Sequence, residues 1–344
     1  MGAVISPDFC VRPALCNIDD VENSIKDIII LEKIIRLNIT LFPISLCEDL
    51  MTFIEEKGFY PTDKIFKKQI LESECDDIYS VKDLVVALLN IIDRTQELCE
   101  NNSILGIVYD EKSIKFEPSF SLINSSEIGY CYKKTLANIL AVKKTKNQYN
   151  ALVNPNLYKF KNSIQCNLKN STIYTQTEEI IDKSLSEKIE INSSVKQYLL
   201  TVNTSDMYRK VNCIESLQIV LFCKTLQILK SNGKDTNSLD LDSFILGNKF
   251  FDSLFKFQCN PNSKFSEVFL DTAARLLAGF PKNQESAFRV GKETTDPQKQ
   301  KGNKLAYRTH VTKSKEGLRL MYWKCQYGFI ELANVGNKGE LEIL

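Results

Sequence analysis

The run 213–230, CIESLQIVLFCKTLQILK, is apolar on nearly every side. A helix without a polar face has no surface on which to lie and must be enclosed by other elements. The rest of the chain is therefore expected to wrap this segment as a central core helix. With 344 residues, 43% of them hydrophobic, the chain has material for that core and for more than one domain.

Other helices follow from apolar spacing of three to four residues. Residues 20–38 repeat Ile25, Ile28, Ile29, Leu31, Ile34 and Ile35. Residues 45–57 open on Ser45 with Glu48 three positions on, a capping-box spacing, and Gly58 supplies the stop. Pro61 predicts the first turn of a helix running to about Leu71. Residues 80–99 carry Leu84, Ala87, Leu88, Ile91 and Ile92 on one face behind Ser80. Helices are also predicted over 126–146, 177–200, 210–231, 241–256 and 263–280.

Strand character enters at 104–120, where two short runs flank an Asp-Glu-Lys turn and predict a hairpin. Two more strands are predicted within 150–176. The polar stretch 231–243 is the best linker candidate, which places one domain over 1–235 and a second over 236–344. Four short runs close the chain at 305–312, 318–325, 328–335 and 340–344, joined by short links that predict an antiparallel meander. The fold class is α+β, with a mostly helical N-terminal domain and a helix-backed antiparallel sheet at the C-terminus.

The net charge of +1 gives no global attraction to polyanions, but its distribution is uneven. Residues 282–324 hold 11 Lys or Arg against four acids, so this stretch carries +7 and the remainder −6. The 11 cysteines form no CxxC pair, and only one histidine is present, so neither a zinc site nor another cofactor motif is read. Cysteines used as small hydrophobes predict a reducing, cytoplasmic setting. No apolar run reaches the ~20 residues that span a bilayer, so no membrane partner is expected. The start MGAVISP fits a myristoylation pattern at Gly2. Heavy use of Ile, Lys and Asn instead suggests an AT-rich, bacterial origin, where that pattern is not read.

Alternation in the C-terminal runs places Arg308, His310, Arg319 and Trp323 on one sheet face, with Glu331 from the next run. Such a face predicts RNA or DNA contact, with cations on phosphates and an aromatic ring for an unpaired base. The surrounding Arg289, Lys292, Lys299, Lys301, Lys304, Lys313, Lys315, Tyr322 and Lys324 extend the basic surface. Metal-independent RNA cleavage would use His310 or Glu331 to move protons and Arg308, Arg319 and Lys324 to hold phosphate. The competing reading is a solvated strand face whose Met321 and Trp323 are covered by the 263–280 helix. Asp240 and Asp242 are expected to cap a following helix rather than bind Mg²⁺. Walker, dinucleotide-binding and GxSxG motifs are missing from the sequence.

The succession of a helix, a basic loop and YRTHV…LRLMYWK…GFIELANVGNKGELEI resembles the sheet of RelE/ParE-type toxins over about the last 80 residues. The resemblance implies RNA-directed chemistry, with Arg308, His310, Arg319 and Tyr322 as candidates, in a bacterial toxin or antiphage defence protein. It departs in the large N-terminal part and in the acidic GELEIL terminus. The expected function is a nucleic-acid-directed effector or sensor. The alternative is a non-catalytic scaffold that binds a partner protein.

Overall fold

The computed structural model describes every residue except 1, 38–40, 57, 118–125, 160, 292, 314–316 and 326–327, and, in addition, the side chains of 126–129. The chain is a mixed α+β protein that divides into two compact units, Met1–Tyr198 and Leu199–Leu344. The polar 231–243 stretch, expected as the linker, lies inside the second unit.

The first unit is built on seven strands among the described residues, in the order β2-β1-β5-β7-β6-β3, with β4 also on β6. They are β1 (Gly2–Ile5), β2 (Ile44–Leu46), β3 (Ile104–Val108), β4 (Lys115–Glu117), β5 (Asn150–Val153), β6 (Ser163–Thr175) and β7 (Glu179–Asn192). The β1–β2, β1–β5 and β5–β7 pairs are parallel, and β6 pairs antiparallel with β3, β4 and β7. Every residue of β1 is buried, as expected for a strand covered on both faces. Gly2, the candidate lipid acceptor, lies inside the sheet and donates its N–H to Tyr149 O at 2.8 Å.

Helices of this unit are α1 (Pro7–Leu15), α2 (Val21–Arg36), α3 (Leu50–Glu56), α4 (Asp63–Glu72), α5 (Val81–Arg94), α6 (Leu98–Asn101), α7 (Ser126–Lys146) and α8 (Pro155–Tyr158). The predicted apolar stripe of α2 is buried at Ile25, Ile28, Leu31 and Ile34, and α2 packs on α5. Asn154 starts α8 in the expected manner. Its Oδ1 accepts from Asn156 N and Leu157 N, and Pro155 occupies the first turn.

Helix α9 (Val195–Leu199) lies at the division. The second unit then contains α10 (Thr204–Arg209), α11 (Ile214–Ser231), β8 (Phe244–Leu246), α12 (Phe250–Lys256) and α13 (Ser266–Leu277). The strands β9 (Ser286–Ala287), β10 (Gln300–Lys301), β11 (Lys304–His310), β12 (Arg319–Cys325) and β13 (Ile330–Gly336) complete it. The sheet order is β10-β11-β12-β13-β8, with β9 on β11; β8–β13 is parallel and the other pairs are antiparallel. Helix α11 is the core helix its composition demanded, buried from Ser216 to Ile228 except at the partly exposed Gln218, Lys224 and Gln227, and packed on α10 and α13. Helix α12 backs β13, where Val335 N donates to Ser253 Oγ at 2.9 Å.

Several local expectations are corrected. The largest is 177–200, read as helix, most of which is the 14-residue strand β7. Leu185, Ile189 and Ile191 are its buried apolar side chains, separated by even steps. Ser45 does not cap a helix. It is the middle of β2, α3 starts at Leu50, and Glu48 Oε1 instead accepts from Cys99 N at 2.7 Å. The runs at 104–108 and 115–117 do not pair with each other; both lie along β6. Within 241–256 the segment after Asp240 and Asp242 is β8, so these acids have no helix to cap there. The 340–344 run forms no strand, and the edge beside β13 is occupied by β8.

Candidate anion-binding site

The register of β11 on β12 sets Arg308 opposite Met321, His310 opposite Arg319 and Ala306 opposite Trp323. Side chains alternate along strands, so Arg308, His310, Arg319, Met321 and Trp323 share one face as the sequence predicted. Between β12 and β13 the register shifts at Met321/Tyr322, so that Tyr322 faces Leu332 and Met321 faces Asn334. This bulge moves Asn334 off the Leu332 face, where simple alternation had placed it.

One end of the face is closed. Phe288, Ala306, Met321, Trp323 and Ala333 form an apolar cluster against which Ile343 packs. The C-terminal segment lies over it. Leu344 N donates to Asn334 Oδ1 at 3.2 Å, Asn334 Nδ2 donates to Glu342 O at 3.4 Å, and Lys299 Nζ donates to Leu341 O. Trp323 is only 4% exposed, so its ring is no platform for a base. Its cover includes this segment, with Trp323 Nε1 reaching Leu344 O at 3.5 Å.

The other end is open and carries Arg308, His310 and Arg319, each partly exposed. Arg308 Nε, Arg319 Nε and His310 Nδ1 are buried and have no hydrogen-bond partner. Among the described residues, none of the three side chains is ion-paired to a carboxylate. Desolvation, and secondarily the Arg319 charge, hold Arg308 below the usual guanidinium range. Its guanidinium also stacks 5.6 Å over the Phe288 ring. The backbone beneath is anchored, because Asn283 Nδ2 donates to His310 O at 2.7 Å and Thr309 Oγ1 to Asn283 O at 3.2 Å.

Two repelling guanidiniums and an imidazole, partly desolvated and, among the described residues, without an ion-paired acid, have the chemistry of a phosphate or carboxylate seat. A bound anion would supply counter-charge and acceptors to these nitrogens.

The remaining site candidates divide differently. Glu331 faces Trp323, itself opposite Ala306, four residues from His310 along β11. That is roughly 13 Å at strand rise. Glu331 is held by Lys304 at 2.5 Å, so the structure does not bring it together with His310. Tyr322 lies on the opposite face, fully buried, stacked on Tyr307 at 5.9 Å and donating to Glu285. Burial first, then Glu285, raises its phenol above the usual range. Lys324 pairs with Glu285 at 3.7 Å, and Arg289 donates to Asp296 O at 2.6 Å. Lys301 sits 5.9 Å over the Trp323 ring, and Lys313 is exposed. Lys292 and Lys315 lie outside the described residues.

A second cluster, in the first unit, escaped the sequence reading. Glu48, Asp49, Tyr130, Cys131 and Lys134 line a cavity of 280 Å³. Lys134 is ion-paired to Asp49. Glu97 Oε1 accepts from Asp49 N at 3.0 Å, and the Glu48 carboxyl is a close neighbour of Glu97. Burial first, then Glu48, pushes Glu97 up to about 7. No motif announces this cluster; its members come from three segments, the turn after β2, the start of α6 and α7, and Glu97 is brought to β2 by its bridge to Leu46. Among the described residues, no group of His, Cys, Asp or Glu side chains could hold a metal ion. No described helix is long and apolar enough to cross a membrane. Comparison of the chain with protein-family models, with curated proteins and with solved structures finds no match.

Proposed function

We propose that this protein is a nucleic-acid-directed reader whose C-terminal sheet grips the phosphate backbone of RNA or DNA. The observation that carries this reading is the trio Arg308, His310 and Arg319, whose buried nitrogens lack partners. The Lys313 ammonium and the net basic charge of residues 282–324 extend the attraction beyond the trio. With Trp323 and Tyr322 buried, recognition is of phosphates rather than stacked bases, and phosphate contacts position without reading sequence. The separation of Glu331 from His310 favours a reader over a ribonuclease, since no described carboxylate stands beside the imidazole to complete acid–base transfer.

The test is binding and integrity of labelled single-stranded RNA and DNA, with wild type beside Arg308→Ala/His310→Ala/Arg319→Ala. Binding by wild type alone, of intact and sequence-unrelated strands, is expected. Equal binding by the two proteins would overturn the assignment of the site, and cleavage by wild type alone would overturn the reader assignment.

The scaffold reading has one observation in its favour. Val108, Thr172 and Ile181 stand in one cross-strand row of β3, β6 and β7, and Val108 and Ile181 are exposed. A partner strand added beside β3 would use that edge.

A further inference from the structure

The segment 340–344 covers Trp323 without being built into the sheet. It forms no strand, so no backbone ladder holds it. Its hydrogen bonds to Asn334 and Trp323 measure 3.2, 3.4 and 3.5 Å, longer than the usual value of about 2.9–3.0 Å. Glu340 Oε1 is turned onto the segment itself and accepts from Leu341 N and Glu342 N at 3.1 Å. Ile343 is the side chain that packs on the apolar cluster, and it is only partly buried, while Leu341 and Leu344 stay 38% and 42% exposed. A cavity of 180 Å³ is lined by Glu340 and Glu342 of the segment and by Lys256 and Phe257 at the end of α12, so packing on that side is incomplete.

Beneath the segment, aromatic rings and cations alternate. Arg308 lies 5.6 Å and Lys299 5.4 Å from the Phe288 ring, and Lys301 lies 5.9 Å from the Trp323 ring. Phe288 belongs both to the covered cluster and, through Arg308, to the open seat. Along β11, Arg308 is one same-face step of about 7 Å from Ala306, the cross-strand partner of Trp323. A strand whose phosphate sits at Arg308 therefore has a base within reach of the Trp323 ring.

We propose that residues 340–344 are a strap that single-stranded nucleic acid displaces, so that an unpaired base takes the place of Ile343 and stacks on Trp323. The inference rests on the phosphate seat proposed above, and it adds a base subsite that is closed in the free protein. Glu340 and Glu342 make the strap acidic, so the strap and an incoming polyanion compete for one basic surface. Stacking on tryptophan tolerates any sequence, because every base has a π face. Apparent affinity is lowered by the fraction of molecules whose strap is closed, and loosening the strap removes that penalty.

Trp323 is the only tryptophan, so the full chain carries its own reporter. Oligouridylate, and inorganic polyphosphate as a polyanion without bases, are titrated into wild type and Ile343→Ser while binding and tryptophan emission are recorded. The expected result is quenching of wild-type emission that saturates with oligouridylate binding, and polyphosphate binding without quenching. Ile343→Ser should bind oligouridylate roughly tenfold tighter, the scale of one apolar side chain's burial, with polyphosphate affinity unchanged. The wild-type titration decides the matter even if the variant fails to fold. Oligouridylate that binds without changing Trp323 emission would overturn the strap and leave the phosphate seat standing. An equal gain by Ile343→Ser for both ligands would overturn the base subsite. Binding of neither ligand would overturn the seat and the strap together.

Discussion

Arg308 and Arg319 place two like charges on adjacent strands, and this residue-scale fact has consequences in opposite directions. For binding, each guanidinium given to a phosphate is a charge-assisted bond. Arg308→Ala or Arg319→Ala should therefore weaken RNA binding by about 1.5–3 kcal/mol, roughly ten- to a hundredfold in Kd. For stability, the sign reverses. Arg319→Met removes a cation that repels Arg308, whose buried Nε has no hydrogen-bond partner among the described residues, and should raise the melting temperature of the free protein in a thermal scan while it weakens binding.

A second residue-scale prediction concerns Glu97, whose pKa rises from 4.5 unfolded to about 7 folded. The folded state then holds a proton that the unfolded state has released, so stability should fall as pH rises from about 4.5 to about 7. Buried Asp27, pushed up from 3.8 to about 6, contributes in the same direction over the lower part of this window. Urea unfolding across this range should show the decline, and Glu97→Gln should flatten its upper part. An unchanged pH profile for Glu97→Gln would contradict the raised Glu97 carboxyl.

At the scale of elements, β7 is the sharpest test of the fold. Ile189 is buried and Ile181 is 75% exposed. Ile189→Ala should cost about 2–5 kcal/mol in urea unfolding, and Ile181→Ala should stay within about 0.5 kcal/mol. The C-terminal segment predicts a second element-scale result. Trp323 fluorescence should resist acrylamide quenching in the full chain, and removal of residues 340–344 should make the ring accessible.

The same elements show what local sequence carries. Helices α2, α5, α7, α11 and α13 were legible because a three-to-four-residue apolar spacing, or the lack of any polar face, needs no partner to be seen. Strands β11 and β12 were legible because alternation fixed which side chains share a face, and that placed Arg308, His310 and Arg319 together. Strands β1, β2 and β8 are too short and too buried to show any period, and β1 passed as a lipidation pattern. The covering of Trp323 by the C-terminal segment, where the competing reading had put the 263–280 helix, and the capture of Glu331 by Lys304 were illegible for another reason. Both depend on partners 21 and 27 residues away, whose approach is set by the meander and the segment after it.

On the scale of the whole molecule, charge is distributed by segment rather than by total. Residues 282–324 carry +7 in a chain of net charge +1, so attraction to a polyanion belongs to the second unit, Leu199–Leu344. Several of those cations already serve the fold: Lys304 on Glu331, Lys324 on Glu285, Lys299 on Leu341 O and Arg289 on Asp296 O. Among the described residues, the attraction that remains is concentrated on Arg308, His310, Arg319, Lys301 and Lys313. Phosphate contact by so few groups makes a specific claim about salt, because each lost phosphate contact reduces the log–log salt slope of binding by about 1. The most direct measurement is therefore the salt dependence of single-stranded RNA affinity for wild type and for Arg308→Ala/Arg319→Ala. The expected result is a wild-type slope shallower by about 2 in the double variant, with weaker binding at every salt concentration. Parallel lines of equal affinity for the two proteins would contradict a phosphate seat on this sheet.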